Sequence, residues 1–380
     1  MLPTLILDSH IHLWPSHAAS PLPHPWMEPP SSDAKHILAF PATIAEYRSV
    51  SKAQSTSDSS YIVVGAIYIE TDRTEGPRGL PDDNIDGWAT EKLAEIADVR
   101  AMIELEEEEA GSGNGTVQGM VIWGPMDRGE EVMRDYLERA KLISGERLWG
   151  KVCGVRLLLQ AATEPEALQR MQTDRGSFES SLLELGRQGL AFDIGVDSRS
   201  VGVWQMEMVV EMMRKVNAAA EKGGEKRVTF VLNHLCKADM ENSAEEWDKE
   251  DQAFQKWSKF MRAFAAFLNT YLKLSGAFSD MRPQDAQNIQ PAQIMSHMKP
   301  WLDVIFDSFR PRRIMFGSDW PVCTVRGPGL EQSWRHRRNV VELIVERYTA
   351  SENEREKIWI GTATEAYRLK NDSWLEKTNP

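Results

Sequence analysis

The stretch DSHIHLW, residues 8–14, contains two histidines separated by one residue at the end of an apolar run. Alternate side chains of a β-strand point to the same face, so His10 and His12 would share one face at the strand's end. Two imidazoles at this spacing can bind one cation such as zinc. The His-x-His pattern is common, however, and by itself it describes equally well two polar residues in an exposed N-terminal segment.

Other apolar runs also end in residues suited to the same chemistry. His234 ends the run VTFVLNH, and Asp319 lies near the end of RIMFGSDWP. Each has an ordinary explanation, because a lone histidine is often a core residue and an aspartate after a strand often caps a turn. Four such residues at the ends of runs nevertheless indicate one shared site.

Eight short apolar runs organise the chain: LILDSHIHLW (5–14), YIVVGAIYIE (61–70), VQGMVIWGP (117–125), VCGVRLLL (152–159), LAFDIGV (190–196), VTFVLNH (228–234), YLKLSGAF (271–278) and RIMFGSDWP (313–321). Near-continuous apolar runs are typical of strands buried on both faces, as in parallel sheets. The residues between the runs predict helices over 177–188, 204–224, 252–269 and 339–348.

Strands that alternate with helices favour an α/β protein with a closed (β/α)8 TIM barrel, formed as a single domain over residues 1–380. A count of eight strands does not prove closure, so a doubly wound open sheet is the alternative. In a barrel, the four polar residues above would meet at the mouth formed by the carboxyl ends of the strands.

Two segments are predicted to be inserted in the βα loops after the first and second strands. Residues 15–34 are rich in proline and serine, and their position after the first strand makes them a candidate lid over the mouth. His17, His24 and Trp26 lie in this segment, and an incidental surface loop is the alternative reading. Residues 104–116, ELEEEEAGSGNGT, predict an acidic, flexible, solvated loop without a catalytic role.

The composition, with 380 residues of which 42% are hydrophobic and 27% charged, is that of a soluble globular protein. The net charge of −13 argues against a nucleic-acid or anionic-membrane partner, although one local arginine can still bind a small anion. The three cysteines have no paired spacing, which predicts reduced thiols in a cytoplasmic protein. The N-terminus lacks the features of a secretory signal, and we expect it to be the mature start.

The order of the motifs adds a resemblance to a known family. DSHIHLW, GVR, FVLNHLCK, LKLSGAF and MFGSDWPVC occur in this order from about residue 5 to about residue 370. The pattern resembles the amidohydrolase superfamily, in the amidohydrolase-2 branch of L-rhamnono- and L-fucono-lactonases and pyrone-dicarboxylate lactonases. The resemblance implies a (β/α)8 barrel with its active site at the carboxyl ends of the strands, and a hydrolase that opens a small lactone.

The chain departs from the binuclear members of that superfamily, which carry a bridging lysine on the fourth strand and a histidine on the fifth. Here the fourth run has Arg156, and the fifth has only Asp193. The resemblance therefore implies at most one divalent metal ion, zinc, and metal-independent catalysis is equally open. The candidate metal ligands are His10, His12 and Asp319. Related lactonases usually have aspartate where this chain has Asn233.

Opening a lactone requires deprotonation of water, stabilisation of the carbonyl oxygen as it gains charge, and protonation of the leaving ring oxygen. We assign Asp319 the role of general base and then of general acid. A zinc ion would polarise the carbonyl and acidify the water. Without zinc, His234 and Arg156 must supply that electrostatic stabilisation. Arg156 could instead form a structural ion pair, because a guanidinium group in an apolar strand is costly unless it is paired.

Four further residues are candidates for contact with the substrate. Trp14 and Trp320 stand beside candidate ligands and suit the apolar face of a sugar ring, although either could belong to the core. Glu70 and Asp193, in the second and fifth runs, are candidate hydroxyl acceptors, and the alternative for Glu70 is an ion pair on the barrel rim. Residues 361–369, GTATEAYRL, are expected to start the last helix with a threonine cap and to take no part in chemistry.

The leading hypothesis is hydrolysis of a small sugar lactone, an aldonolactone such as L-rhamnono-1,4-lactone. The partner is then a small-molecule substrate, with no nucleic acid and no membrane, and the sequence carries no signal for the oligomeric state. Alternatives on the same barrel are a metal-dependent decarboxylase and a hydrolase of amides or other lactones. From a different class, a non-catalytic barrel could bind a sugar acid, but such a binder has no need of a general base.

Overall fold

The computed structural model describes residues 3–52, 61–76, 84–110, 115–173, 177–241, 252–276, 280–281 and 290–370. Eight parallel strands form one sheet in chain order: β1 Thr4–Ile11, β2 Tyr61–Ile69, β3 Val117–Trp123, β4 Val152–Leu158, β5 Ala191–Gly195, β6 Thr229–Leu232, β7 Thr270–Leu274 and β8 Ile314–Phe316. A parallel bridge between Ile11 and Trp320 brings the first strand beside the last. The predicted (β/α)8 TIM-like barrel is confirmed, and the open sheet is excluded.

Helices follow the strands and pack around the barrel: α1 Ile44–Ser51, α2 Ile85–Trp88, α3 Thr90–Ala110, α4 Gly129–Trp149, α5 Pro165–Thr173, α6 Phe178–Gln188, α7 Trp204–Gly223, α8 Gln252–Ala266, α9 Pro291–Phe309, α10 Leu330–Tyr348, α11 Glu352–Glu356 and α12 Thr362–Ala366. The predicted helices 177–188 and 204–224 are confirmed as α6 and α7, and Gly224 caps the end of α7 in the left-handed conformation. α10 begins at Leu330, well before the predicted 339.

Two predictions about local structure are wrong. A π-helical turn, Lys357–Gly361, leads directly into α12, so Thr362 lies inside continuous helical backbone and does not cap its start. The acidic residues 104–110 form the end of α3, where Glu104 pairs with Arg100 and the largely buried Glu106 accepts hydrogen bonds from Thr116. Glutamate is a good helix former, and these pairings hold the run in a helix that precedes β3, not in a βα loop. Residues 111–114 lie outside the described residues.

The apolar side chains form two clusters separated by the sheet. The larger cluster lies between the strands and the surrounding helices. The smaller one contains the inward-facing strand residues, with members from the last helical segment: Leu7, Val64, Ile67, Ile69, Val121, Cys153, Ala191, Val231, Met315, Ile360, Ala363, Ala366 and Tyr367. This cluster fills the barrel, and the polar residues of the chain's candidate site lie above it at the carboxyl ends of the strands.

No helix within the described ranges is both long and apolar enough to cross a membrane. All three cysteines, Cys153, Cys236 and Cys323, are free and buried.

Asp8 joins the first strand to the last at the seam where the barrel closes. Its fully buried carboxylate accepts hydrogen bonds from the backbone N–H of Ser318 at 2.8 Å and of His10 at 3.3 Å. It also accepts from the Tyr47 hydroxyl of α1 at 3.0 Å and from the Trp334 indole of α10 at 2.9 Å. One side chain therefore satisfies donors from β1, from the residues after β8, and from two helices.

Replacement of Asp8 by alanine should destabilise the protein strongly, because four buried donors would lose their acceptor. We expect the Asp8→Ala variant to lose about 3 kcal/mol or more of the free energy of unfolding in urea denaturation. Asp86→Ala is the matched control, since Asp86 is exposed and pairs with Arg139 at the surface, and we expect it to cost less than about 1 kcal/mol. Equal losses in the two variants would show that the seam does not depend on Asp8.

Candidate active site

A cavity of about 330 Å³ opens at the carboxyl ends of the strands. Its described wall consists of His12, Trp14, Trp26, His36, Leu38, Thr71, Asp72, Arg156, Leu158, Gln160, Gly195, Val196, Asn233, His234, Lys237, Asp319, Val322 and Val325. The volume suits a small organic molecule. Five of the candidate site residues predicted from the sequence lie in this wall: His12, Trp14, Arg156, His234 and Asp319.

His10 and His12 point to the same side of the first strand and its continuation, as their spacing predicts. Their Nε2 atoms lie 3.1 Å apart. The Nδ1 atom of His12 lies 2.9 Å from the carbonyl oxygen of Ile69, which can only accept, so Nδ1 carries a proton, and in the neutral imidazole Nε2 then holds the lone pair. His12 lines the cavity, whereas His10 is fully buried behind it.

Asp319 places one carboxylate oxygen at the centre of three histidines. Its Oδ1 lies 3.6 Å from Nε2 of His10, 3.6 Å from Nε2 of His12 and 3.7 Å from Nε2 of His234. This oxygen is buried and has no hydrogen-bond partner among the described residues. The Asp319 backbone has φ +62°, a strained conformation of the kind that concentrates at functional sites.

His234 reaches the site through a left-handed turn, not as the last residue of the sixth strand. β6 ends at Leu232, and the four residues 234–237 all have φ between +47° and +56°. Ser275 contacts Nδ1 of His234 through its hydroxyl at 2.8 Å. Gly276 lies so close that a Cβ there would approach the His234 Cβ to 2.6 Å, which explains the glycine after Ser275.

The same turn brings Lys237 to the cavity wall, a residue that the sequence analysis missed. Its Nζ lies 3.7 Å from a carboxylate oxygen of Asp197, and its side chain is partly exposed. Lys237 and Arg156 are two cationic groups on the wall of one cavity. The motif FVLNHLCK contains this lysine, but its apolar pattern does not reveal the left-handed turn that brings the lysine to the cavity.

Arg156 forms the buried ion pair that was one of its two interpretations, and its role in the reaction stays a prediction. Its Nε donates to Glu70 Oε1 and its Nη2 donates to the backbone carbonyl of Glu70, in a buried ion pair. Arg156 also lines the cavity. Glu70 lies behind Arg156, and its second oxygen accepts from the backbone N–H of Asp72 at 2.6 Å. Glu70 therefore forms an ion pair, which was the alternative to contact with the substrate. It is not among the described residues that line the cavity.

The two predicted tryptophans occupy different places. Trp14 lines the cavity, and its indole donates to the carbonyl oxygen of Phe40 at 2.6 Å. Trp320 is fully buried against Tyr47 of α1, with ring centroids 5.6 Å apart, and is not among the described lining residues. Asn233 does line the cavity, and both atoms of its buried amide lack a hydrogen-bond partner in the described part of the chain.

Asp193 and Lys273 form a fully buried pair inside the barrel. Lys273 Nζ lies 2.6 Å from Asp193 Oδ2 and 3.2 Å from Nδ1 of His10. The other oxygen of Asp193 accepts from the hydroxyl of Tyr367 at 2.7 Å. Asp193 lies beneath the cavity and is not among its described lining residues. Lys273 was missed by the sequence analysis, although a lysine between two leucines in an apolar run was the available signal.

Burial sets the protonation state of the site. Burial lowers the pKa of His234 to about 3, and burial together with the charge of Lys273 lowers the pKa of His10 well below its usual range. Burial alone would raise the pKa of Asp319, but His234 and His12 more than offset it and the net pKa is lowered. Near neutral pH the site therefore contains neutral His10 and His234 beside an ionised Asp319.

The group formed by His10, His12 and Asp319 has the composition and closeness of a metal site. One ligand atom from each lies within 4.8 Å of the others, and Asp319 Oδ1, which no described residue hydrogen-bonds, faces both Nε2 atoms. His12 already presents its Nε2 lone pair. This buried group could bind one divalent metal ion.

Part of the segment 15–34 packs at the mouth of the cavity. Trp26 lines it, and the Trp26 indole donates to the carbonyl oxygen of Thr71 at 2.9 Å. His24 is buried, with Nδ1 2.7 Å from the carbonyl oxygen of Ala18 and Nε2 2.7 Å from the Thr71 hydroxyl. His17 lies outside, near Asp98. The segment therefore supplies a wall residue, and its role as a lid stays a prediction.

Comparison with known proteins agrees with these features. Residues 150–369 match the amidohydrolase family. The chain belongs to this family. The resemblance inferred from the motifs is thereby confirmed. The cavity of this amidohydrolase lies at the carboxyl ends of the strands, where that resemblance implies an active site.

Two curated relatives of this amidohydrolase are lactonases. The L-rhamnono-gamma-lactonase of Scheffersomyces stipitis is 28% identical over 372 residues, which cover 96% of this chain and 98% of the relative. The L-fucono-1,5-lactonase of Burkholderia multivorans is 35% identical over 141 residues, which cover 37% of this chain and 43% of the relative.

Solved structures show the same fold. A crystal structure of an amidohydrolase from Burkholderia multivorans with bound zinc has a TM-score of 0.66 at 24% identity, covering 96% of this chain and 100% of that one. The structure described as a 2-pyrone-4,6-dicarboxylic acid hydrolase from Pseudomonas putida has a TM-score of 0.52 at 14% identity, covering 98% of this chain and all of that one.

The buried His24 makes the stability of this amidohydrolase depend on pH. Burial lowers the pKa of His24 from 6.5 to about 4. The unfolded chain therefore takes up this proton near pH 6.5, before the folded chain does. The contribution of neutral, buried His24 to the free energy of unfolding is therefore fully present above about pH 6.5, and it is lost as the pH falls from 6.5 toward 4. The shift corresponds to a free energy on the order of 3 kcal/mol at most.

We expect the His24→Gln variant to show a shallower fall in the free energy of unfolding between pH 6.5 and 4 than the wild type. Urea denaturation at a series of pH values measures the slope. His17→Gln is the control, since His17 belongs to the same segment but its side chain is exposed. A slope in His24→Gln equal to that of the wild type would contradict the buried, neutral state of His24.

Proposed function

We propose that this chain is a lactonase that opens a small polyhydroxylated lactone, an aldonolactone such as L-rhamnono-1,4-lactone, to the free acid. The observation that carries the proposal is the buried Oδ1 of Asp319, which has no hydrogen-bond partner among the described residues and faces three histidines at the wall of a cavity of about 330 Å³. The full-length similarity to an L-rhamnono-gamma-lactonase supports the substrate class. A carboxylate held ionised and without a donor is suited to accept a proton from water.

Asp319 carries the proton through the reaction. Its carboxylate takes one proton from a water molecule as the resulting hydroxide adds to the carbonyl carbon. When the tetrahedral intermediate collapses, the bond between that carbon and the ring oxygen breaks, and Asp319 returns the proton to the leaving oxygen. The product is the open hydroxy acid, with a new carboxyl group and a new hydroxyl group. One water is consumed, and Asp319 returns to its ionised form.

The negative charge that develops on the carbonyl oxygen needs stabilisation that is already in place. Arg156 is held rigidly by its two hydrogen bonds to Glu70 and faces the cavity. Lys237 and His234 approach the same cavity from the left-handed turn after β6. Fixed donors and cations in a site with little water stabilise such charge without reorganisation.

His10, His12 and Asp319 are the residues that would hold a divalent metal ion such as zinc. When bound there, the ion would supply polarisation of the carbonyl and a lowered pKa of the attacking water. The steps assigned to Asp319, Arg156 and Lys237 do not require it.

The walls of the cavity favour a ring with both apolar and hydroxylated faces. Trp14 and Trp26 lie on one side with their ring centroids 5.8 Å apart, and both line the cavity. Aromatic rings suit the C–H face of a sugar-derived ring. The amide of Asn233, which has no hydrogen-bond partner in the described ranges, offers both a donor and an acceptor to a substrate hydroxyl.

Asp319→Asn should abolish turnover while preserving binding, because the amide keeps the shape of the side chain but cannot take the proton. We expect kcat to fall by about 10²- to 10⁴-fold. The assay follows acid release with a pH indicator over a panel of γ- and δ-aldonolactones that includes the lactones of 6-deoxy-L-sugars. Calorimetry with the acid product checks that binding persists.

Asp239→Asn provides the control for this variant, since Asp239 is an exposed aspartate a few residues beyond the His234 turn. Turnover by Asp319→Asn at the wild-type rate would overturn the role of Asp319. If the folded wild type bound aldonic acids but opened no lactone of the panel, with or without zinc, the lactonase proposal would be wrong and a sugar-acid binder would take its place.

Lys237→Met should weaken binding of the anionic product more than that of the neutral lactone, because the ammonium group pairs with the new carboxylate. We expect the inhibition constant of the aldonic acid to rise about threefold to tenfold. Steady-state kinetics with added product measures it. Lys222→Met, at the exposed end of α7, is the control. An unchanged inhibition constant in Lys237→Met would place the carboxylate elsewhere in the cavity.

A further inference from the structure

The proposed reaction does not explain the place of Lys273, the cationic member of the buried Asp193–Lys273 pair. It lies in β7, is fully buried, and is not among the described residues that line the cavity. Its Nζ stands between Asp193 Oδ2 at 2.6 Å and His10 Nδ1 at 3.2 Å. A lysine in the interior of a barrel is costly, so its contacts there call for an account.

Asp193 holds the ammonium group in place. One carboxylate oxygen accepts from Lys273, and the other accepts from the hydroxyl of Tyr367 at 2.7 Å. Both members of the pair are fully buried. An ammonium group has only donors, so the contact of Lys273 with His10 runs in one direction, from Nζ–H to the Nδ1 lone pair.

That direction fixes the protons on both histidines of the His-x-His motif. A neutral imidazole has one donor and one acceptor, so His10 with Nδ1 accepting carries its proton on Nε2. This Nε2–H points at the lone pair of His12 Nε2, 3.1 Å away. The Nδ1–H of His12 then donates to the carbonyl oxygen of Ile69 at 2.9 Å. Each ring nitrogen of the two histidines thus has a partner of the correct kind.

We propose that Lys273 is a positioning residue that holds His10 in the Nε2–H tautomer, and through it engages the His12 lone pair. Both Nε2 atoms that face Asp319 are then used in a hydrogen bond with each other, and Asp319 Oδ1 is left as the acceptor for water. The same arrangement opposes a metal ion, because His10 cannot offer Nε2 while that atom carries a proton. Lys273 therefore biases the cluster toward proton transfer and against cation binding.

The tautomers can be read directly in the wild-type protein. Two-bond ¹H–¹⁵N correlation spectra of the ¹⁵N-labelled full-length chain near neutral pH distinguish Nε2–H from Nδ1–H imidazoles, and His10→Gln and His12→Gln variants assign the signals. The expected result is an Nε2–H tautomer for His10 and an Nδ1–H tautomer for His12. An Nδ1–H tautomer for His10 in the wild type overturns the proposal.

Zinc affinity provides the second test. We expect Lys273→Met, which keeps the length of the side chain but removes its donors and charge, to bind Zn²⁺ about 10- to 100-fold more tightly than the wild type in calorimetry. The spectrum of His10 should also lose its preference for Nε2–H. Zinc affinity equal to or below that of the wild type, including no measurable binding by either protein, overturns the link to Lys273.

Lys92→Met is the matched control. Lys92 is also a buried lysine paired with an aspartate, Asp72, but no described contact joins it to a histidine, so its removal should leave zinc affinity unchanged. If Lys273→Met does not fold, the tautomers of the wild type still decide the proposal. Neither measurement uses a substrate, so the outcome is independent of whether the chain hydrolyses lactones.

Discussion

The pairing of the first strand with the last is the contact on which the site depends. The N–H of Asp319 donates to the carbonyl oxygen of His10 at 2.9 Å, and the N–H of His12 donates to that of Trp320 at 2.8 Å. Asp8 reinforces this seam from inside the structure through four hydrogen bonds. Residues separated by about three hundred positions in the chain therefore lie side by side, and the carboxylate of Asp319 meets the two histidines because backbone hydrogen bonds align the segments that carry them.

The interior of the barrel also decides how charge is distributed. Arg156 and Lys273 are buried cations, and each is balanced by a carboxylate from two strands away in the sheet. Burial of such pairs is costly in free energy, and full hydrogen bonding is what makes it tolerable. The same low exposure keeps His10 and His234 neutral, while Asp319 remains ionised. A carboxylate among neutral imidazoles, with cations on the wall beyond, is an electrostatic arrangement present before any ligand arrives.

Local sequence patterns predicted the elements well and their ends poorly. The eight runs correspond to the eight strands because each run is apolar on both faces, as a strand between a packed interior and covering helices must be. The apolar runs overestimated the lengths of β6 and β8, because His234 and Asp319 adopt left-handed backbone conformations that an apolar pattern does not predict. The acidic run 104–110 was read as a loop, but its glutamates are paired with arginines and backbone donors of the fold. Local charge density cannot reveal partners that are distant in sequence.

The sequence by itself determined which side chains are available at the carboxyl ends of the strands. The periodicity of an extended chain and the convergence of parallel strands are enough to bring His10, His12, His234 and Asp319 to one end of a barrel. Only the tertiary structure decided what each polar group pairs with. Glu70 is engaged by Arg156 and Asp193 by Lys273, although both had been candidates for substrate contact. The reason is physical: a buried charge must find its partner across the barrel, and those distances are set by strand register and packing, not by neighbours in the chain.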